Sequence, residues 1–232
     1  MDRGLYLAAS GMLAEQLRQD QIANDLSNSS TSGYKAERTT QQSFGKLLLT
    51  NSVTGASVGS QSTGVQVTNT VTDWTPGALK DTGEPLDMAI NGDGFFAVQT
   101  AGGVRYTRNG EFQSDEQGRL VTSMGDPVLG RNNQPVKIGA DGKVDPRNLN
   151  VVLLTNPEKA GYNYITGTPG AVAGQVAGAV RAGALEGSGA DANQSMVDMI
   201  ESMRAYEAGQ KVIHTIDETL GKAASSVGSL SA

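Results

Sequence analysis

Histidine and cysteine, the side chains that most often carry nucleophilic, acid–base or metal chemistry, are almost absent from this sequence. There is one histidine, His214, and there is no cysteine. A zinc site needs about three or four protein ligands, and a Ser-His-Asp triad needs a histidine held between its two partners. Because His214 directly follows Ile213 in a helical pattern and has no second histidine to join, we interpret it as a helix-surface residue.

The acidic residues offer two further candidate sites, and both are better interpreted as turns. Asn91–Gly94 resembles part of a calcium loop, but the strand-like run Phe95–Val98 follows where a bidentate acid would be needed. Asp115 and Glu116 are adjacent, whereas a glycosidase needs two acids that face each other from separate elements. No phosphate-binding glycine motif is present. The sequence therefore predicts no enzymatic activity, no cofactor and no metal site.

Composition favours turn-rich β structure over a packed α/β enzyme. The 232 residues include 38% hydrophobic residues, 5% aromatic residues and 30 glycines. The formal net charge of -6, without a basic run, argues against nucleic-acid binding. No stretch reaches the ~20 apolar residues of a membrane span. The apolar start continues as a helical pattern, so we expect neither stable membrane insertion nor a cleaved signal peptide.

The two ends of the chain show helical periodicity. Apolar residues recur there at steps of three and four, which is typical of helices that bury one stripe against a partner helix. The first helix should end near Asn28, where a run of turn residues begins, and the second should run from Ala192 to Leu230, roughly 58 Å. The residues expected to form the assembly seam are Leu5, Met12, Ile22, Leu26, Met196, Met199, Met203, Tyr206, Ile213, Ile216, Leu220 and Val227.

Between the helices, short alternating runs are separated by turn pairs such as Asn91-Gly92 and Gly102-Gly103. The predicted fold class is α+β, with N- and C-terminal helices forming a coiled coil and a central, mainly antiparallel β domain. Four regions are expected: an N-terminal helix and motif over 1–35, a flexible connector over 36–64, the β domain over 65–185, and the C-terminal coiled-coil helix over 186–232.

Particular strings resemble the flagellar basal-body rod protein family, which is related to hook proteins. They occur in the family's order at Ile22–Asn28, Thr31–Lys35, Thr82–Phe96, Tyr106–Phe112, Leu185–Ser188 and Arg204–Glu207. Two departures from the family pattern are Gly189–Asp191, where N-V-D or N-V-N is usual, and Gly209, where Asn is usual. They affect the entry and stiffness of the last helix.

The resemblance implies a function. In this family the terminal helices pair as a coiled coil lining the inner tube of the flagellar rod, and the β domain lies outside. The short middle implies a rod subunit and not a hook subunit. Both rod types remain open, because Ser43–Gly64 resembles the distal type and Gly125–Gly130 the proximal type.

The resemblance also implies partners and a location. The expected partners are copies of the chain itself, other rod and hook axial proteins, and the flagellar export apparatus. The expected location is the periplasmic rod of the basal body, reached without signal cleavage.

Two other classes of protein compete with this interpretation. A surface adhesin or phage-tail-like subunit would also be β-rich and free of cysteine, but it would not explain helical seams at both ends. A secreted polysaccharide hydrolase would require a pair of facing acids in a cleft.

Overall fold

The computed structural model describes residues 2–43, 45–50, 57–62, 64–170 and 180–229, and these residues fall into two compact units. The first, called here the helical unit, comprises the described residues of Met1–Ser27, Glu37–Thr72 and Ala192–Ala232. The second, called the β unit, comprises the described residues of Asn28–Ala36 and Asp73–Asp191.

The helical unit contains the two long helices that periodicity predicts. Helix α1 runs over Asp2–Ser27 and helix α2 over Ala192–Ser229. Helix α1 ends where the turn residues begin, and the amide of Thr31 bonds the carbonyl of Asn28 in the turn that follows. The predicted end of α1 and the predicted start of α2 are therefore confirmed to within a residue, whereas the predicted end of α2 at Leu230 lies outside the described residues.

Two antiparallel strand pairs complete the helical unit. Strand β1 (Glu37–Ser43) pairs with β4 (Val65–Thr72), and β2 (Lys46–Thr50) pairs with β3 (Ser57–Ser62). The structure thus differs from the expected flexible connector over 36–64, most of whose described residues form strands grouped with the helices. Strand β1 reads ERTTQQS, which has β-branched residues but no apolar alternation, so its sequence signal for a strand is weak.

The β unit is built from short antiparallel strands, as predicted. Its largest sheet has five strands in the order β11-β7-β8-β13-β12, and the remaining strands form pairs. The strands are β5 (Leu79–Asp81), β6 (Met88–Ile90), β7 (Phe95–Thr100), β8 (Gly103–Thr107), β9 (Phe112–Ser114), β10 (Leu120–Thr122), β11 (Val151–Val152), β12 (Leu154–Lys159), β13 (Tyr164–Pro169), β14 (Val180–Ala182) and β15 (Ala184–Glu186).

Strand β7 contributes to both apolar clusters of the β unit because its two faces are buried. Successive side chains of a strand point to opposite faces, so Phe95 and Ala97 enter one apolar cluster while Phe96 and Val98 enter another. Phe96 meets Phe112 edge to face with ring centroids 5.2 Å apart. This double burial explains why an apolar run, and not a strict alternation, marks the strand.

Candidate assembly surfaces and a buried charge network

Helices α1 and α2 pack antiparallel within the helical unit. Ser202 donates a hydrogen bond of 2.7 Å to the carboxylate of Glu15, which fixes their relative register at one point. Closer to the start of α1, the side chain of Met12 packs so closely on Gly209 that a Cβ atom there would lie 2.6 Å from Cγ of Met12. Gly209 is therefore a packing residue, which gives its departure from the family pattern a physical reason.

The stripe of α2 that faces α1 begins with small residues. Ser195 and Ser202 are buried, while Gly209 and the larger members are half-buried. With steps of four and three, the stripe contains Ser195, Met199, Ser202, Tyr206, Gly209, Ile213, Ile216 and Leu220. The small side chains on this stripe allow the two helices to approach closely, where larger side chains would hold them apart.

The structure divides the predicted seam residues into two groups. Half-buried or buried within the helical unit are Leu5, Met12, Ile22, Leu26, Met199, Tyr206, Ile213, Ile216 and Leu220. Met196 and Met203 instead lie one position from the stripe that faces α1, each about half exposed. Val227 lies outside the residues whose side chains the structure describes. The role of all twelve residues in assembly, and the coiled coil itself, stay predictions.

The other side of α1 borders strand β4 along an apolar groove of about 410 Å³. We call this the α1 groove. Small residues line part of it, and several of its large side chains are exposed, among them Tyr6, Leu13 and Leu17. Its lining is Tyr6, Ala9, Ser10, Leu13, Ala14, Leu17, Gly64, Val65, Gln66 and Val67.

Helix α2 carries a second exposed apolar surface, which we call the α2 ridge. It consists of Met196, Val197, Ile200 and Met203, each about half exposed. Met196, Ile200 and Met203 follow one another at steps of four and three, so they form one row along the helix. Monomeric proteins seldom leave such a contiguous apolar row in water, and one of this kind is typical of an interaction surface.

The β unit contains a buried charge network that sequence analysis did not foresee. Glu186, at the end of β15, accepts from Nζ of Lys35 at 2.7 Å and from Nη1 of Arg108 at 2.8 Å. All three side chains are nearly inaccessible to water. The amide of Gly77 adds a third hydrogen bond to the same carboxylate, and Lys35 also donates to the carbonyl of Thr75. One buried anion is thus surrounded by donors, as a stable buried ion requires.

This network joins segments that are far apart in the chain. Lys35 closes the first family motif, Arg108 follows β8, and Glu186 belongs to the last motif before α2. Desolvation by burial lowers the pKa of Lys35, and the bond to Glu186 opposes that shift. Gly33 is required nearby, because its φ is +67° and a Cβ atom there would lie 2.4 Å from the backbone of Arg108. The network therefore holds three distant segments of the β unit together.

The contacts described for the residues considered for chemistry are local, within one helix or one turn. His214 is 77% exposed, with Nδ1 3.8 Å from a carboxylate oxygen of Glu218. Asp115 binds the side chain and amide of Arg119 within one turn. Asn91–Gly94 forms the turn between β6 and β7, as predicted. Within the described residues, no three histidine, cysteine or acidic side chains are placed to hold a metal ion.

Comparison with known protein families assigns three segments of the chain. Residues 5–35 match the model described as flagella basal body rod protein, and residues 89–146 match the flagellar hook protein FlgE/F/G D1 domain. Residues 181–226 match the C-terminal domain of the flagellar basal body rod FlgEFG proteins. The matched segments contain all three members of the buried charge network.

Individual relatives align along nearly the whole chain. The flagellar basal-body rod protein FlgF of Escherichia coli is 34% identical over 96% of this chain and 97% of its own length. FlgG of Bacillus subtilis is 33% identical over 95% of this chain and 97% of its own length. The flagellar hook-basal body complex protein FlhO of Bacillus subtilis is 31% identical over 99% of this chain and its entire own length.

Proposed function

Because the chain belongs to the flagellar basal-body rod protein family, we propose that it polymerises through α1 and α2 into the hollow axial drive shaft used for motility. It is a structural subunit of the bacterial flagellar basal-body rod. Membership of the family implies assembly with other rod and hook axial proteins. The proposal adds that the terminal helices carry the contacts, including those between copies of this chain.

The observation that carries this proposal is where the large apolar side chains remain exposed. Both the α1 groove and the α2 ridge lie on the terminal helices and the strand beside them. Surfaces of this kind lower their free energy when a second surface covers them, at about 25 cal/mol per Å² of apolar area removed from water. Assembly of subunits would cover them.

The route to the rod is also part of the proposal. Rod proteins belong to the flagellar basal body. We propose that this subunit passes through the flagellar export apparatus without cleavage of a signal peptide, assembles in the periplasm and has no stable membrane insertion. This part of the proposal rests on membership of the family. Among the described residues, neither α1 nor α2 contains a stretch apolar enough to span a bilayer.

We further infer that the chain is not an enzyme. The family is a structural one. Its only histidine is exposed at the surface of α2, and the acids considered at Asp115 and Glu116 lie in one turn.

The proposal is tested by placing a charge on the stripe that joins the helices. Ile213→Asp should abolish rod completion and motility, because burying an unpaired carboxylate costs several kcal/mol. The β unit should melt as in the wild type, which fluorescence of its only tryptophan, Trp74, can report. Thr215→Asp is the matched control, since it adds the same charge at an exposed position of the same helix. Normal rods and swimming with Ile213→Asp would contradict helix-mediated polymerisation.

A further inference from the structure

The α1 groove and the α2 ridge are different surfaces of the same unit, and among the described residues no segment of the chain covers either surface. We propose that the α2 ridge of one subunit binds in the α1 groove of a second copy. This inference rests on the proposed function and specifies which surfaces meet. Since the two surfaces are not equivalent, each copy would use its ridge on one neighbour and its groove on another, which is a heterologous contact.

The dimensions of the two surfaces agree. The α1 side of the groove extends from Tyr6 to Leu17, about 16 Å along the helix at 1.5 Å per residue. The ridge extends from Met196 to Met203, about 10 Å. The groove includes small residues such as Ala9 and Ala14, and its apolar walls suit methionine, whose flexible thioether fills irregular gaps. The ridge therefore fits within the groove lengthwise.

Charged residues just beyond the ends of the ridge and the groove favour one relative direction of the two helices. If the ridge and the groove are aligned at their centres and run antiparallel, Glu207 lies beside Arg3. If they run parallel, Glu207 lies beside Asp20, and two like charges meet. All three side chains are exposed. Each is three or four positions from a residue of the ridge or the groove on its own helix, so it lies on the same face as that surface. Charge complementarity thus favours the antiparallel contact with a second copy.

A heterologous contact of this kind need not close. A ridge that binds a groove elsewhere on the molecule leaves one free ridge and one free groove at the ends of every assembly. Subunits can then be added without limit along a helical path, which is the growth that a rod requires. An isologous contact between two ridges would instead stop at a dimer.

Because the chain has no cysteine, single introduced thiols can test the contact in assembled rods. Leu13→Cys places a thiol in the groove, and Ile200→Cys places one on the ridge; both positions are exposed in the subunit. The two variants are co-expressed in a flagellated strain lacking the native copy, and its basal bodies are isolated and mildly oxidised. A disulfide-linked dimer should appear only when both variants are present, because a disulfide requires Cα atoms within about 7 Å.

The control pairs Leu13→Cys with His214→Cys, which lies on the same helix about 21 Å from Ile200 and is exposed. This pair should give no dimer. Motile cells whose rods contain both single variants but no ridge-to-groove dimer would overturn this inference and leave the proposed function standing. A dimer from Ile200→Cys alone would show a ridge-to-ridge contact and would also overturn it. Absence of the wild-type chain from basal bodies would instead overturn the proposed function.

A charge exchange tests the direction of binding. Arg3→Glu and Glu207→Arg should each impair rod completion and swimming, because each places like charges together at the predicted contact. The double variant restores the opposite pair in reversed order and should recover swimming. Two impaired single variants without recovery in the double variant would overturn the antiparallel arrangement.

Discussion

The helical unit and the β unit differ in how far their large apolar side chains are exposed to solvent. In the β unit, Phe96, Met88, Ile90 and Leu120 are almost completely buried. In the helical unit, the buried apolar side chains among the described residues are Ala14 and Ile22. Exposed large apolar residues show the reverse distribution. Those of the helical unit are Tyr6, Leu13, Leu17, Val65, Val71, Met196, Val197, Ile200, Met203 and Val212, whereas those of the β unit are Val104, Met124 and Tyr162.

This difference suggests that apolar burial in the β unit serves folding, whereas exposed apolar residues of the helical unit serve contacts between subunits. The β unit buries its largest apolar side chains and pairs the buried carboxylate of Glu186 with Lys35 and Arg108, although Nε of Arg108 is buried without a hydrogen-bond partner among the described residues. Most of its folding free energy should therefore come from contacts within the unit. The helical unit leaves many of its large apolar side chains in water. Contacts with other subunits can bury these side chains and so stabilise the helical unit further. Mutations in the β unit should therefore change the stability of the free chain, whereas mutations on the helices should change rod formation.

The largest effect on stability is expected at Glu186. Glu186→Gln removes the only anion of the charge network and leaves Lys35 and Arg108 as buried cations, which should destabilise the β unit by about 3–5 kcal/mol. Urea unfolding followed by fluorescence of Trp74 measures this effect, since that ring packs edge to face on Phe95 at 5.8 Å.

The control for this prediction is an ion pair at the surface of the same unit. Asp81→Asn breaks the 2.8 Å ion pair between Asp81 and Arg181, whose side chains are 68% and 56% exposed. It should lower the free energy of unfolding by less than about 1 kcal/mol. Equal effects of the two variants would mean that burial of the network contributes nothing.

A pH-dependent effect is expected from Tyr164 of the β unit. Burial, together with its 2.6 Å hydrogen bond to Asp126, raises the pKa of this phenol to about 12. An unfolded chain loses the phenol proton near the ordinary pKa of 10.0, so the stability of the β unit should fall as the pH rises from 10 towards 12. Below that window this contribution is fully present. Absorbance titration and unfolding at several pH values measure the two effects.

Tyr164→Phe should remove this phenol and flatten the fall in stability over that window. Tyr6→Phe, on the exposed side of α1, should leave the fall unchanged. A wild-type β unit whose stability is constant between pH 10 and 12 would contradict the assigned hydrogen bond.

Two glycines of α2 offer a matched pair for the helical unit. Gly221→Ala should stabilise the helix by up to about 1 kcal/mol, because no atom lies within 4 Å of the added Cβ atom. Gly209→Ala brings the same gain in helix propensity but forces a Cβ atom onto Met12, an overpacking that costs about 1–3 kcal/mol. Thermal unfolding followed by helical circular dichroism should therefore shift in opposite directions. Equal shifts would refute the close approach of the two helices.

The smallest effect is expected at His214. His214→Gln should change stability by less than about 0.5 kcal/mol and should leave export, assembly and motility intact, because the side chain is 77% exposed and lies 3.8 Å from the exposed carboxylate of Glu218. Swimming assays and thermal unfolding measure both. Loss of motility by a normally folded variant would reveal a function for the histidine.

Sequence analysis predicted those features that depend on local pattern. The helical period gave both helices, and turn residues such as Asn28 and Gly102-Gly103 gave the helix end and the tight hairpin between β7 and β8. The family motifs gave the correct family. The predicted α+β fold class, with a central antiparallel β domain, is likewise confirmed.

The features that were missed depend on long-range packing. Lys35 and Glu186 are 151 positions apart, so no local pattern relates them, although both stand inside motifs that carried the resemblance. The predicted seam on α2 shares Met199, Tyr206 and Ile213 with the stripe that faces α1, but it also contains Met196 and Met203. In the structure their small neighbours Ser195 and Ser202, which look like surface residues in sequence, face α1 instead. The part of both methionines in assembly stays a prediction.

The antiparallel pairing leaves the two helices unequal in length at one end. Gly4, near the start of α1, lies opposite Ile216, yet α2 continues to Ser229, about 20 Å farther. The described side chains of this extension, from Asp217 to Ser226, are exposed apart from the half-buried Leu220. In the rod proposed above, this end of α2 can therefore contact a neighbouring subunit without first separating from α1.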